Sequence, residues 1–176
     1  MLPDAVVQSY TLQEGRNCPA LSLYVSLDEV TLEITATSTR LEQVPIAANL
    51  RHDKLDAVFT EAFFEAVEAG APTDVAWGTE LRFLHRLARQ LKAQREVVRG
   101  KPENFNRPDY NFRLVHEAGD DGEPQGEPQG HKPVQISTRQ RGAPLDLIVA
   151  EAMILANSTW GGWIAEHGVP GIYRSQ

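Results

Sequence analysis

The cations of this chain are not spread evenly. Between Glu80 and Lys101 stand Arg82, Arg86, Arg89, Lys92, Arg95, Arg99 and Lys101 against Glu80 and Glu96, so this stretch carries +5 and the remainder −12 of a net charge of −7. Arg82, Arg86 and Arg89 recur at four- and three-residue steps, which put them on one face of a helix. Such a face binds phosphate oxygens without regard to base identity, or simply keeps the protein in solution.

Other residues could do chemistry singly. Glu151 sits beside an apolar helical stripe, at the edge of the solvated face or directed into a channel. Asn157, further along the same helix, is a cap-like or core-bonded amide, or a polar contact at a site. Phe105 lies between Asn104 and Asn106, where a large aromatic is either an anchoring plug or a surface on which a base can stack. Tyr173 and Arg174 read as a core residue with its solvated neighbour, or as a pair that meets a ligand. Several chemistries drop out. Cys18 is the single cysteine and so has no disulfide partner in the chain. His85, His116, His131 and His167 fall on different elements, which opposes a metal site among them. No Gly-x-Ser-x-Gly elbow supports a serine hydrolase, and Ser158 lies mid-helix.

These side chains need a scaffold, and 176 residues, 41% of them hydrophobic, suffice for one domain with its own core. Leu21, Leu23, Val25 and Leu27 alternate with Ser22, Tyr24 and Ser26, a half-buried strand from Ala20 to Leu27. After Asp28-Glu29 the alternation resumes with Leu32, Ile34 and Ala36 inward and Glu33, Thr35 and Thr37 outward, completing a hairpin. The period then changes. Leu55, Val58, Phe59, Ala62, Phe63 and Ala66 predict an amphipathic helix with Asp53 as its N-cap and Gly70 as its stop. A second helix is predicted from about Asp74 to Arg99, with Trp77, Leu81, Leu84, Leu87, Ala88 and Leu91 as its stripe. Strands follow at Tyr110–Val115 and Val134–Thr138, separated by an acidic Gly/Pro insert over 117–131 too polar to pack and without EF-hand spacing. The last helix runs from Pro144 to about His167 with Trp160 and Trp163 in its core face, and Gly168 leads to a strand near Ile172. The expected fold is α+β, a mixed sheet packed by about three helices. A chain that stops inside an incipient strand reads as truncated. No run reaches the roughly 18 apolar residues that span a bilayer, and no basic region precedes an apolar stretch at the N-terminus, so a cytoplasmic protein is expected.

Several segments, in order along nearly the whole chain, resemble the RNB catalytic domain of ribonuclease II-type exoribonucleases. Met1-Leu2-Pro3 and Pro19-Ala20-Leu21-Ser22 resemble the family's opening hairpin. Asn49-Leu50-Arg51-His52-Asp53 resembles the segment that opens its first helix, and Arg107-Pro108-Asp109-Tyr110 the start of a strand. Most specific is the run Ile148 to Asn157, followed at the family's spacing by Gly168-Val169-Pro170-Gly171-Ile172-Tyr173-Arg174.

This resemblance implies processive hydrolysis of single-stranded RNA from its 3′ end to nucleoside monophosphates, with magnesium, by a monomeric parent enzyme. It places the metal-holding aspartates before the Met-Leu-Pro segment and a phosphate-binding arginine motif after Tyr173-Arg174; the chain has neither, so it is expected to be an inactive internal fragment. What it keeps is RNA-channel wall, with His52, Phe105, Glu151, Asn157, Tyr173 and Arg174 as the RNA-binding residues. Three positions depart from the pattern: Ala150 stands for a second Glu, His52 for a Tyr, and Gln176 for a His. The rival class is a non-enzymatic α+β module that binds nucleic acid or a protein partner through the basic helix. An aspartate cluster encoded upstream and an arginine-rich motif downstream would separate the two.

Overall fold

The structure is a computed structural model that describes residues 2–51, 55–102, 108–114, 134–140 and 142–173. Its elements run α1 (Asp4–Tyr10), β1 (Asn17–Leu27), β2 (Ile34–Pro45), α2 (Glu61–Glu68), α3 (Gly78–Arg99), β3 (Pro108–Leu114), β4 (Val134–Gln140) and α4 (Pro144–Glu166). The α+β class is therefore the observed one.

β1 and β2 form the expected hairpin, antiparallel with Leu21 opposite Leu41 and Val25 opposite Thr37. Its tip differs from the simple alternation. Asp28 Oδ1 accepts from the amides of Val30 and Thr31 at 3.0 and 2.7 Å, and the Leu32 amide donates to Asp28 O at 2.8 Å. These amide donors hold the Asp28 carboxyl below its ordinary pKa. The turn drives Leu32 to φ +56 with its side chain buried, so it is a turn residue rather than the first inward strand position. Pairing shifts register between Ser26 and Leu27, and Ile34 and Ala36 emerge exposed instead of inward.

The expected helix is interrupted after Leu55, which is itself helical. Leu55 to Phe59 form a single turn; α2 begins at Glu61, where Thr60 Oγ1 accepts from the Phe63 amide at 3.2 Å. Asp53, the expected cap, lies outside the described residues. The stop at Gly70 holds, with φ +100 and the Ala71 amide donating to Ala66 O at 2.9 Å. Phe59 and Phe64 of this segment meet Leu81 of α3 and Leu145 of α4 in the main core cluster. Phe63 sets its ring edge against both phenylalanines, at 5.1 and 5.3 Å. α3 begins four residues past its expected start, after a left-handed Trp77, and Gly78 is buried there so close to Thr73 that a Cβ would lie 3.3 Å from that side chain.

Among the described residues the strands make two separate two-stranded antiparallel sheets, β1–β2 and β3–β4, not one mixed sheet. Each hairpin closes on its sequence neighbour, the pairing with the least loop entropy to lose. Residues 169–173 form no strand, and Ile172 is fully exposed. Trp163 is 55% exposed rather than core, its ring stacked on His167 one turn on, at the helix C-cap. The expected flexible insert over 117–131 lies outside the described residues.

Phe64→Ala should cost about 3–5 kcal/mol of stability and Thr60→Ala about 1 kcal/mol, read from urea denaturation; equal losses would show that the aromatic cluster is not the anchor of α2.

Candidate functional site

β1, α3 and α4 line an open groove of about 390 Å³. Leu23, Val25 and Leu27 form one wall; α3 brings Phe83, Leu87 and Leu91, and α4 Ile148, Ala152 and Leu155. Two side chains hold the hairpin over the helices: Gln90 Nε2 donates to Thr31 O at 2.7 Å near the tip, and Trp160 Nε1 to Thr39 Oγ1 at 3.1 Å further along β2.

Glu151 is the one ionisable residue in this lining, and it is 2% exposed. Its carboxylate accepts a hydrogen bond from Arg95 Nη2, an enclosed ion pair that joins α4 to α3. Of the two readings open at the sequence level, the solvated edge is excluded; the carboxylate points inward, at a cation of its own chain. Arg95 continues the apolar stripe one turn past Leu91, a spacing that marks the position as facing inward.

Of the remaining candidates, the two among the described residues, Asn157 and Tyr173, do not converge on Glu151. Asn157 is exposed six residues along α4, which turns it by about 120° from Glu151 and lifts it by about 9 Å. Tyr173 is 57% exposed and lies over Gly161, where a Cβ would meet its ring at 3.8 Å. Gly161 is some 15 Å along the helix from Glu151. His52, Phe105 and Arg174 lie outside the described residues.

The basic helix is real, but its charge is shared out. Arg89 Nη1 lies 3.7 Å from Glu68, Lys92 Nζ 3.8 Å from Glu96, and Arg95 is committed to Glu151. Arg86 is exposed, whereas Arg82 is half-buried. Cys18 is a free, buried thiol.

The RNB domain family model matches the chain over residues 1–176. The chain belongs to the RNB domain family. No curated protein and no solved structure matches it. RNB proteins are hydrolytic, RNA-binding exoribonucleases, so the expected family is the observed one. Among the described residues no three His, Cys, Asp or Glu side chains come together to hold a metal ion, and the buried Glu151 faces a guanidinium. No helix in the described part of this RNB chain is long and apolar enough to cross a membrane.

Removing one member of the pair takes away the ion pair that joins α4 to α3. Arg95→Met or Glu151→Leu alone should each lower stability, read from urea denaturation, and the double variant should lose less than the sum of the two, because either single change already removes their shared contact. Additive losses in a thermodynamic cycle would mean that the two do not act as a pair.

Proposed function

We propose that the chain forms part of the RNA-channel wall of a cytoplasmic, monomeric exoribonuclease that degrades single-stranded RNA processively from the 3′ end to nucleoside monophosphates, with magnesium. The observation that carries this reading is the family match over all 176 residues, supported by family-like segments in the family's order from Met1 to Arg174. In this reading His52, Phe105, Asn157, Tyr173 and Arg174 meet RNA. Glu151 serves the wall from within, its carboxylate engaged by Arg95. The chain alone does not cut RNA, because metal-assisted phosphodiester cleavage needs carboxylates gathered around the scissile phosphate, and those are supplied from outside it.

The test is a 5′-labelled single-stranded RNA incubated with the 176-residue chain, and with the full-length protein that contains it, in magnesium with and without chelator. Full-length protein should shorten the RNA stepwise from its 3′ end, and the chain alone should leave it intact. Trimming by the chain alone, abolished by chelation, would show that the catalytic centre lies within these residues. Salt-sensitive binding by both proteins with cleavage by neither would favour a binding module instead. In the full-length protein, Phe105→Ala should weaken RNA binding by ~1–3 kcal/mol and leave its salt dependence unchanged, the mark of a lost stacking contact rather than a lost phosphate contact.

A further inference from the structure

His85 is one of the most enclosed side chains among the described residues, 1% exposed in the middle of α3. Its ring stacks on Phe64 of α2, centroids 4.1 Å apart and planes 21° from parallel. Neither Nδ1 nor Nε2 has a hydrogen-bond partner. A neutral imidazole has one N–H to leave unsatisfied; an imidazolium has two, with a full charge to solvate.

We propose that His85 is an acid-sensitive latch that holds α2 on α3 in its neutral form and releases α2 on protonation. α2 has eight residues, far below the length at which an isolated helix persists in water, so it exists through its contacts. Phe64 and Val67 are its buried residues, and Phe64 is the one in contact with His85. A protonated ring keeps a cation–π contact with Phe64 but leaves two N–H donors and a charge without partners in the docked site, which moving away from Phe64 into water would satisfy.

The charged groups that face the ring are Glu61 and Glu68 on α2 and Arg89 on α3. Burial is the largest influence and pushes His85 below its ordinary pKa; Glu61 and Glu68 pull it back up, and Arg89 pushes it down again. Arg89 also lies 3.7 Å from Glu68, which blunts that carboxylate's pull. The sign follows. With α2 released, the imidazole protonates near the ordinary ~6.5, and with α2 docked only at lower pH. Between the two values the released state binds the extra proton, so docking is complete above ~6.5 and weakens by up to about tenfold per pH unit below it. Release uncovers the Phe59–Phe64 side of the core while α3 and α4 remain joined through Arg95 and Glu151.

Amide exchange over residues 61–70, followed from pH 7.5 to 5.5 and corrected for the intrinsic exchange rate, reads the latch directly. In the unaltered chain, protection there should fall by up to about tenfold per pH unit below ~6.5, while α3 stays protected. His85→Phe, which keeps the stack, and His85→Leu, which keeps an apolar side chain, should both flatten that dependence. The His85 Cε1 proton, titrated by NMR in the unaltered chain, should move at a pH below ~6.5 whether or not the variants fold. The latch is refuted by a titration at or above that value, by α2 protection that stays level or rises in acid as Glu61 or Glu68 captures the charged ring, or by an acid loss equal in the two variants.

Discussion

Two opposite charges withdrawn from water between long helices set the terms for this domain. Glu151 gives up nearly all its hydration and Arg95 much of it, and their close contact offsets part of that cost while tying α4 to α3. α4 then acts as a beam with three attachments. Near its start Leu145 enters the Phe59–Phe64–Leu81 cluster, at its middle Glu151 meets Arg95, and further on Trp160 reaches Thr39 of the hairpin. The groove under β1 is the space left between these attachments.

The same economy governs the surface. The run from Arg82 to Lys101 is strongly cationic on paper, yet Glu68, Glu96 and Glu151 each face one of its members. Net positive charge in a stretch of sequence does not amount to a phosphate track, because neutralisation happens in three dimensions and draws on acids from α2 and α4.

Periodicity carried the regular elements well. β1, β3, β4, α3 and α4 lie within a few residues of where alternation and helical spacing put them, and Gly70 stops α2 as its type suggests. Failures arose where a residue's partner is remote in sequence. Glu151 stands between the edge of the solvated face and a channel on sequence alone, because its partner Arg95 lies 56 residues earlier. His85 sat in plain view between Leu81 and Ala88 on the inward stripe, but was weighed as a metal ligand rather than as core. Trp163 fits the apolar stripe by spacing, yet stacks on His167 at 4.3 Å on the open side. α1 was not foreseen; its seven residues bury none of their side chains, so they leave no hydrophobic pattern to find. β2 ran on to Pro45 because ladder hydrogen bonds extend it through polar residues such as Thr39, Arg40 and Glu42.

The hairpin tip joins two preferences that usually part company. An L-residue in the left-handed region costs roughly 1–2 kcal/mol, which is why glycine is common there, but full burial of a leucine side chain is worth about 1.5–3 kcal/mol. At Leu32 the second term exceeds the first, so the turn keeps a residue whose backbone is mirror-image and whose side chain is not expendable. Glycine would relax the chain and forfeit the anchor; valine or isoleucine would keep some apolar bulk but crowd a left-handed backbone at Cβ. The position thus admits a narrow alphabet for reasons of handedness alone, independent of anything the domain does to RNA.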